Sequence, residues 1–179
     1  EQTEGIEIAD SQRDEMTAML ERIQLLLQKE EAKTGRRIRL GVHVPDSLDY
    51  CHALGLDLES WMKKSIPDLV IAGGDFQLQP WSHIVEACHA HQIPVVASFS
   101  ASSITFDPAV WRAEALRAWD SGVDGIATFN FFHPDHSLLR QLHNPARLRE
   151  LPRTERYELS PLNQKMIGSL ATLLKGGEA

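Results

Sequence analysis

The chain has 179 residues, 42% apolar and 24% charged, enough apolar side chain to bury the core of one domain and too much for a disordered one. A formal charge of −7, from 18 Lys/Arg against 25 Asp/Glu, argues against a nucleic-acid partner, and the two cysteines, Cys51 and Cys88, exclude a disulfide scaffold or an all-cysteine metal cage. No apolar run nears the length of a membrane span, and a start at Glu1 rather than Met leaves the compartment open.

Residues 1–35 carry nine Asp/Glu and four Lys/Arg. Within them Met16, Met19, Leu20, Ile23, Leu26 and Leu27 recur at helical spacing. This predicts a long amphipathic helix with a core-facing stripe, capped by Ser11 with Asp14 and stopped at Gly35. The run 37–44 (RIRLGVHV) predicts a strand, followed by helical turns near 47–54 and 57–65. Residues 68–72 (DLVIA) predict a second strand ending in Gly73-Gly74, with a helix over 81–91. A third strand is expected at 94–99. Asp107-Pro108 then starts a helix that stops at Gly122. A fourth strand at 124–131 leads into short helical pieces over 136–151, and residues 161–174 suit a terminal helix. Ile6-Glu7-Ile8 offers a short fifth strand at the amino end.

Short apolar strands alternating with amphipathic helices indicate an α/β fold with a parallel sheet buried on both faces. Two architectures fit: the second half of a (β/α)8 TIM barrel, or a small doubly wound open sheet. A whole barrel takes about 250 residues. The expected division is a partial barrel of four to five strand–helix units over 1–157 and a helical tail over 158–179.

Both architectures gather ligands at the carboxyl ends of their strands. Those ends supply His43, Gly73, Gly74, Asp75, Ser98, Asn130 and His133 as candidates, with Trp81 just beyond. His43 suits a ligand contact or a place in a hydrogen-bonded wall. Gly73-Gly74 suits close backbone approach or a tight turn, and the Trp81 indole suits a sugar face or the core. No G-x-G-x-x-G and no Lys-Ser/Thr phosphate loop occurs, so no cofactor is implied. His133-Pro134-Asp135-His136 has a metal-like composition, but its spacing does not set the side chains on one face, and Asp135 suits a helix cap. His83, His89 and His91 suit a helix surface, and Cys51, Cys88, Trp61, Trp111 and Trp119 suit other roles than a site.

Glycoside hydrolysis needs two carboxyl groups. The strand ends offer Asp46, Asp75 and Asp135 but no glutamate, and earlier in the chain stand Glu7 and Asp10.

The segments RIRLGVHVPDS, LGLDLESWMKKSIPDLVIAGG and SGVDGIATFNFF resemble, in this order, the carboxyl half of the bacterial glycosyl-hydrolase-like family 10 proteins. The most specific positions are Gly55, Leu56, Asp57, Trp61, Asp68, Leu69, Val70, Gly73 and Gly74, followed by Gly122, Asp124, Gly125 and Phe129–Phe132. The resemblance covers about residues 15–157. It implies a TIM barrel whose fifth to eighth strands are the four read above, and an acidic fourth strand to which GIEIAD corresponds, with Glu7 at the glutamate and Ala9 in the place of an aspartate.

The resulting expectation is a glycoside-hydrolase-like barrel portion that hydrolyses or binds carbohydrate. Asp75 and Glu7 are its carboxylates, and His43, Asn130 and His133 hold sugar hydroxyls. The rival is a non-catalytic half-barrel that binds sugar or assembles, as a homo-oligomer or with the missing barrel half. A flavodoxin-like domain with a phosphate ligand is a third option, weakened by the absent phosphate loop.

Overall fold

The computed structural model describes residues 8–74, 77–100, 107–132 and 137–154. Helix α1 (Asp10–Thr34) precedes a regular alternation: β1 (Gly41–Val44), α2 (Leu48–Ala53), α3 (Leu58–Lys63), β2 (Leu69–Gly74), α4 (Trp81–His89), β3 (Val95–Ser100), α5 (Pro108–Asp120), β4 (Gly125–Phe129), α6 (Ser137–Leu142) and α7 (Pro145–Glu150). The protein is α/β, and its strands form one all-parallel sheet in the order β1-β2-β3-β4. The fifth strand at Ile6–Ile8 and the helix at 161–174 fall on residues outside or at the edge of those described, and Ile8 itself is not in a strand.

Local chemistry places most boundaries. Asp57, Asp107 and Asn144 each accept a backbone N–H from the first turn of the helix they precede, and Pro108 and Pro145 occupy the first helical turn. The start of α1 differs from the Ser11/Asp14 expectation. Ala9 is the cap, and the Gln12 side chain accepts its N–H at 3.0 Å. Gly35 ends the helix in the left-handed region, as its position predicts.

The stripe of α1 holds in part: Leu20 is buried in the core and Met16 and Ile23 pack against it, but the rest differs. Its buried line is Arg13, Thr17 and Leu20, continued by Gln24, at i, i+4, i+7 and i+11. Around Leu20, polar groups anchor that line. Thr17 Oγ1 accepts the Trp61 indole N–H at 2.8 Å, Arg13 donates to the His52 carbonyl at 3.1 Å, and Gln24 donates to the Ser65 carbonyl at 2.9 Å. Met19 and Leu26, seven residues apart, lie off it, and Leu26 is 62% exposed.

The sheet's two faces differ. Val42, Val44, Val70, Ala72, Val95, Ala97 and Phe99 point to one side and join the helices' buried residues, among them Trp61, Ile84 and Trp111, in the core. The register puts His43, Ile71, Val96 and Gly125 in one row on the other side, where His43 is exposed and Ile71 and Val96 are only half-buried. Burial on both faces, expected from the apolar strands, therefore holds fully for one face among the described residues. The strands are shorter or shifted too: residues 37–40 precede β1, and β2 runs on through Gly73 and Gly74.

One clamp occurs twice at the amino ends of the strands. Leu40 donates its N–H to Asp68 Oδ2 at 2.9 Å and accepts from the Asp68 N–H at 2.8 Å. Val95 and Asp124 repeat both bonds, at 2.8 and 2.7 Å. Each aspartate directly precedes or opens an even-numbered strand and pins the strand before it. Partial burial pushes both carboxyls up, but these N–H groups, with the Arg37 guanidinium on Asp68 and the His89 ring on Asp124, bring both below the ordinary carboxylate range.

A carboxyl lowered in the folded state stabilises it above the unfolded value near pH 4, and that stability is lost as pH falls through the folded value. Asp68→Asn should lower stability by about 1 kcal/mol at pH 7. It should also flatten the acid limb of a plot of Tm against pH. An unchanged acid limb in thermal melts would contradict the clamp.

Candidate functional site

The carboxyl ends of β1 and β2 enclose a hollow of about 240 Å³, lined chiefly by His43, Pro45, Tyr50, Gly74, Leu78 and Phe129. Val42 and Val44 point to the core, so His43 between them faces the hollow by strand alternation. Its Nε2 lies 3.0 Å from the Gly73 carbonyl. A carbonyl only accepts, so Nε2 carries the proton, and in the neutral ring Nδ1 is left as an acceptor. The imidazole also meets Phe129 edge to face, with ring centroids 5.6 Å apart at 74°.

Gly73 and Gly74 lie within β2 rather than in a turn, but both have the positive φ expected of them. Gly73 has φ +94°, and a Cβ there would lie 2.9 Å from the Ser98 carbonyl and 2.8 Å from Trp81 Cη2. Its bareness is what lets Trp81 pack beneath the strand end. Gly74 has φ +140°, and a Cβ there would stand 3.7 Å from His43 Nε2.

Asp46 leaves the end of β1 and is only 1% exposed. Its carboxylate accepts N–H bonds from Leu78 at 2.9 Å and Gln79 at 3.1 Å, tying the segment before α4 to the end of β1. Burial pushes its pKa up against the opposing pull of those bonds. Tyr50 is likewise pushed up by burial, so its phenol is a neutral donor at the hollow's edge. Burial drives the Cys51 and Cys88 thiols up to about 12. Neither supplies a thiolate nucleophile at neutral pH.

Of the candidates from the sequence, His43, Gly73 and Gly74 meet at the hollow. Ser98 is buried on the same sheet face, two residues past Val96. Asn130 follows β4 with φ +54°, a conformation asparagine tolerates better than most residues. Trp81, expected as a sugar platform, is instead core: it is 3% exposed and packs edge to face on Phe99 at 5.9 Å. Glu7, Asp75 and His133, with Asp135, lie outside the described residues. Tyr50, Leu78 and Phe129 escaped the sequence reading. The alternation Gly125, Ala127, Phe129 could have placed the last of them on the His43 face.

The described lining thus combines an imidazole, a phenol, backbone groups and an aromatic ring, with no Asp, Glu, Lys or Arg among the described residues. A second hollow, of about 190 Å³, lies between α2 and α3 beside Asp49, His52, Asp57 and Glu59, away from the strand ends. Among the described residues no group of three His, Cys, Asp or Glu could hold a metal ion, and no helix is long and apolar enough to cross a membrane.

No family model matches the chain, and no curated protein matches it.

Gly73→Ala should cost ~1–3 kcal/mol, from strain at positive φ and the approach to the Ser98 carbonyl. Chemical denaturation measures this. A variant as stable as the parent would show that the tight fit over Trp81 is not needed.

Proposed function

We propose that the chain is the second half of a (β/α)8 barrel of the glycosyl-hydrolase-like family 10 kind, and that its strand ends bind carbohydrate. The His43–Phe129 contact carries this reading. Adjacent strands are about 4.8 Å apart and side chains stand roughly perpendicular to a sheet, so residues three ladders apart meet only if the sheet curls about their face. The register partner of His43 on β4 is Gly125, yet its ring meets Phe129, four residues further on. Such a stagger is what tilted barrel strands require.

The strand order favours the same conclusion over a doubly wound sheet. Doubly wound sheets reverse direction at a switch point, whereas this order runs on without reversal. Right-handed crossovers in such an order put every helix on one face, leaving the other as a barrel interior.

The lining favours a neutral, hydroxyl-rich ligand. His43 Nδ1 and the Tyr50 phenol can hold hydroxyls, and the Phe129 ring offers a flat apolar face. Asp75, next in sequence after Gly74, and Glu7 are the carboxylates we assign to hydrolysis, with Asn130 and His133 as further hydroxyl partners. The second reading is a half-barrel that binds sugar without cleaving it, which the imidazole, phenol and aromatic ring of the described lining suit equally.

Calorimetric titration with a panel of neutral oligosaccharides tests both. Heat should appear with at least one, and His43→Ala should weaken that affinity about tenfold, a loss of ~1.4 kcal/mol. Asp75→Asn should keep the heat and abolish any release of reducing sugar. No heat with any member of the panel sinks the carbohydrate proposal, and heat without turnover selects the binding-only form.

A further inference from the structure

We infer that the row Gly73, Ser98 and Ala127 is a covered subsite that seats the exocyclic hydroxymethyl arm of a hexose, with the arm's hydroxyl on Ser98; this rests on the carbohydrate reading above. The first observation is the row itself. Gly73 pairs with Ser98 and Ser98 with Ala127, so the three stand side by side across β2, β3 and β4. Ser98 and Ala127 point to the His43 face, because Ala97, Phe99 and Ile126 turn to the core. On that face the row before is filled by His43, Ile71 and Val96, and Phe129 stands beyond. A glycine, a serine and an alanine between such neighbours leave space for a small group.

The second is the cover. His43 leaves β1 level with Val96, and Phe129 leaves β4 level with Ser100. Rings that meet from β1 and β4 span the two strands between them, and Ser98 lies midway between Val96 and Ser100. The imidazole reaches the end of β2, where its Nε2 is 3.0 Å from the carbonyl of Gly73, the register partner of Ser98. Ser98 is accordingly 3% exposed, although both rings are themselves exposed.

The third is the hydroxyl. Among the described residues, Ser98 Oγ makes no hydrogen bond, in contrast to Thr17 Oγ1 and Ser47 Oγ, which are buried and paired. A hydroxyl buried without a partner costs stability. Ser98 therefore adds nothing polar to the free fold, and holds a donor and an acceptor for a group that arrives from outside it.

The shape of the approach selects the group. Gly73 belongs both to the row and to the wall of the hollow, which His43 and Phe129 also line, so a sugar in the hollow lies against the cover. A hydroxyl attached directly to the sugar ring reaches Ser98 only if that ring displaces both aromatic rings. A hydroxymethyl arm, one carbon longer and narrow, needs them only to part. An edge-to-face contact and the bond to the Gly73 carbonyl close the cover, and exposed side chains change rotamer readily.

Calorimetric titration of the full chain with tetrasaccharides of glucose, mannose and galactose, and with xylotetraose, whose rings lack the arm, tests this. At least one hexose tetrasaccharide should bind about tenfold tighter than xylotetraose. Ser98→Ala should bring the two within about threefold and leave xylotetraose affinity unchanged. The same variant without sugar should melt about 2–4 °C higher, because it removes an unpaired buried hydroxyl. A serine needed by the fold would do the reverse. Xylotetraose bound as tightly as every hexose, a gap that survives Ser98→Ala, or a lowered Tm would each overturn the subsite. Its failure is separable from that of the sugar reading: equal heat from xylotetraose and the hexoses loses only the subsite, and no heat from any of these sugars loses both.

Discussion

A parallel strand can be joined to its neighbour only after the chain has crossed back over the sheet, and here each crossing rejoins on the same side of the strand before it. Right-handed crossovers then carry the helices to one face. That face holds the core, where Val70, Val95 and Ala97 are without exposed surface. The other face keeps His43 exposed beside Gly73 and Gly74, and the curl that brings Phe129 to His43 turns a sheet edge into the wall of a hollow. The candidate site is a product of topology before it is a product of any one residue.

Two sets of aspartates divide the labour. Asp68 and Asp124 sit at the amino ends of the strands, accept backbone N–H groups and are held below the ordinary carboxylate range. Asp46 sits at a carboxyl end, more deeply buried, with its pKa raised. The low pair fixes strand register at the end away from the site. Asp46 fixes the connection that leads from β2 into α4. In a barrel, fixed residues at the amino face serve stability, while the carboxyl face hosts ligands.

Much of this was legible in the sequence because it depends on local chemistry. Gly35, Asp57 and Pro108 mark helix ends through caps and φ values that neighbouring residues decide. The alternation of Val42, His43 and Val44 placed His43 on its own face. What escaped depends on packing between distant elements. Leu26 has the spacing of a core residue, but α1 docks through Arg13 and Thr17, whose partners His52 and Trp61 lie far along the chain. Trp81 has the flat face of a sugar platform, yet the bare Gly73 above it opens a place in the core. Phe129 reaches the site only through the curl, which no pattern within β4 encodes.

That curl is the central claim, since the hollow and the barrel proposal both follow from it. The most direct measurement is the nuclear Overhauser effect between the His43 and Phe129 rings in a labelled sample. Centroids 5.6 Å apart, edge to face, predict a cross-peak between their ring protons. Across a flat four-stranded sheet these residues, three ladders of about 4.8 Å apart, would give none, and its absence would contradict the curled sheet outright.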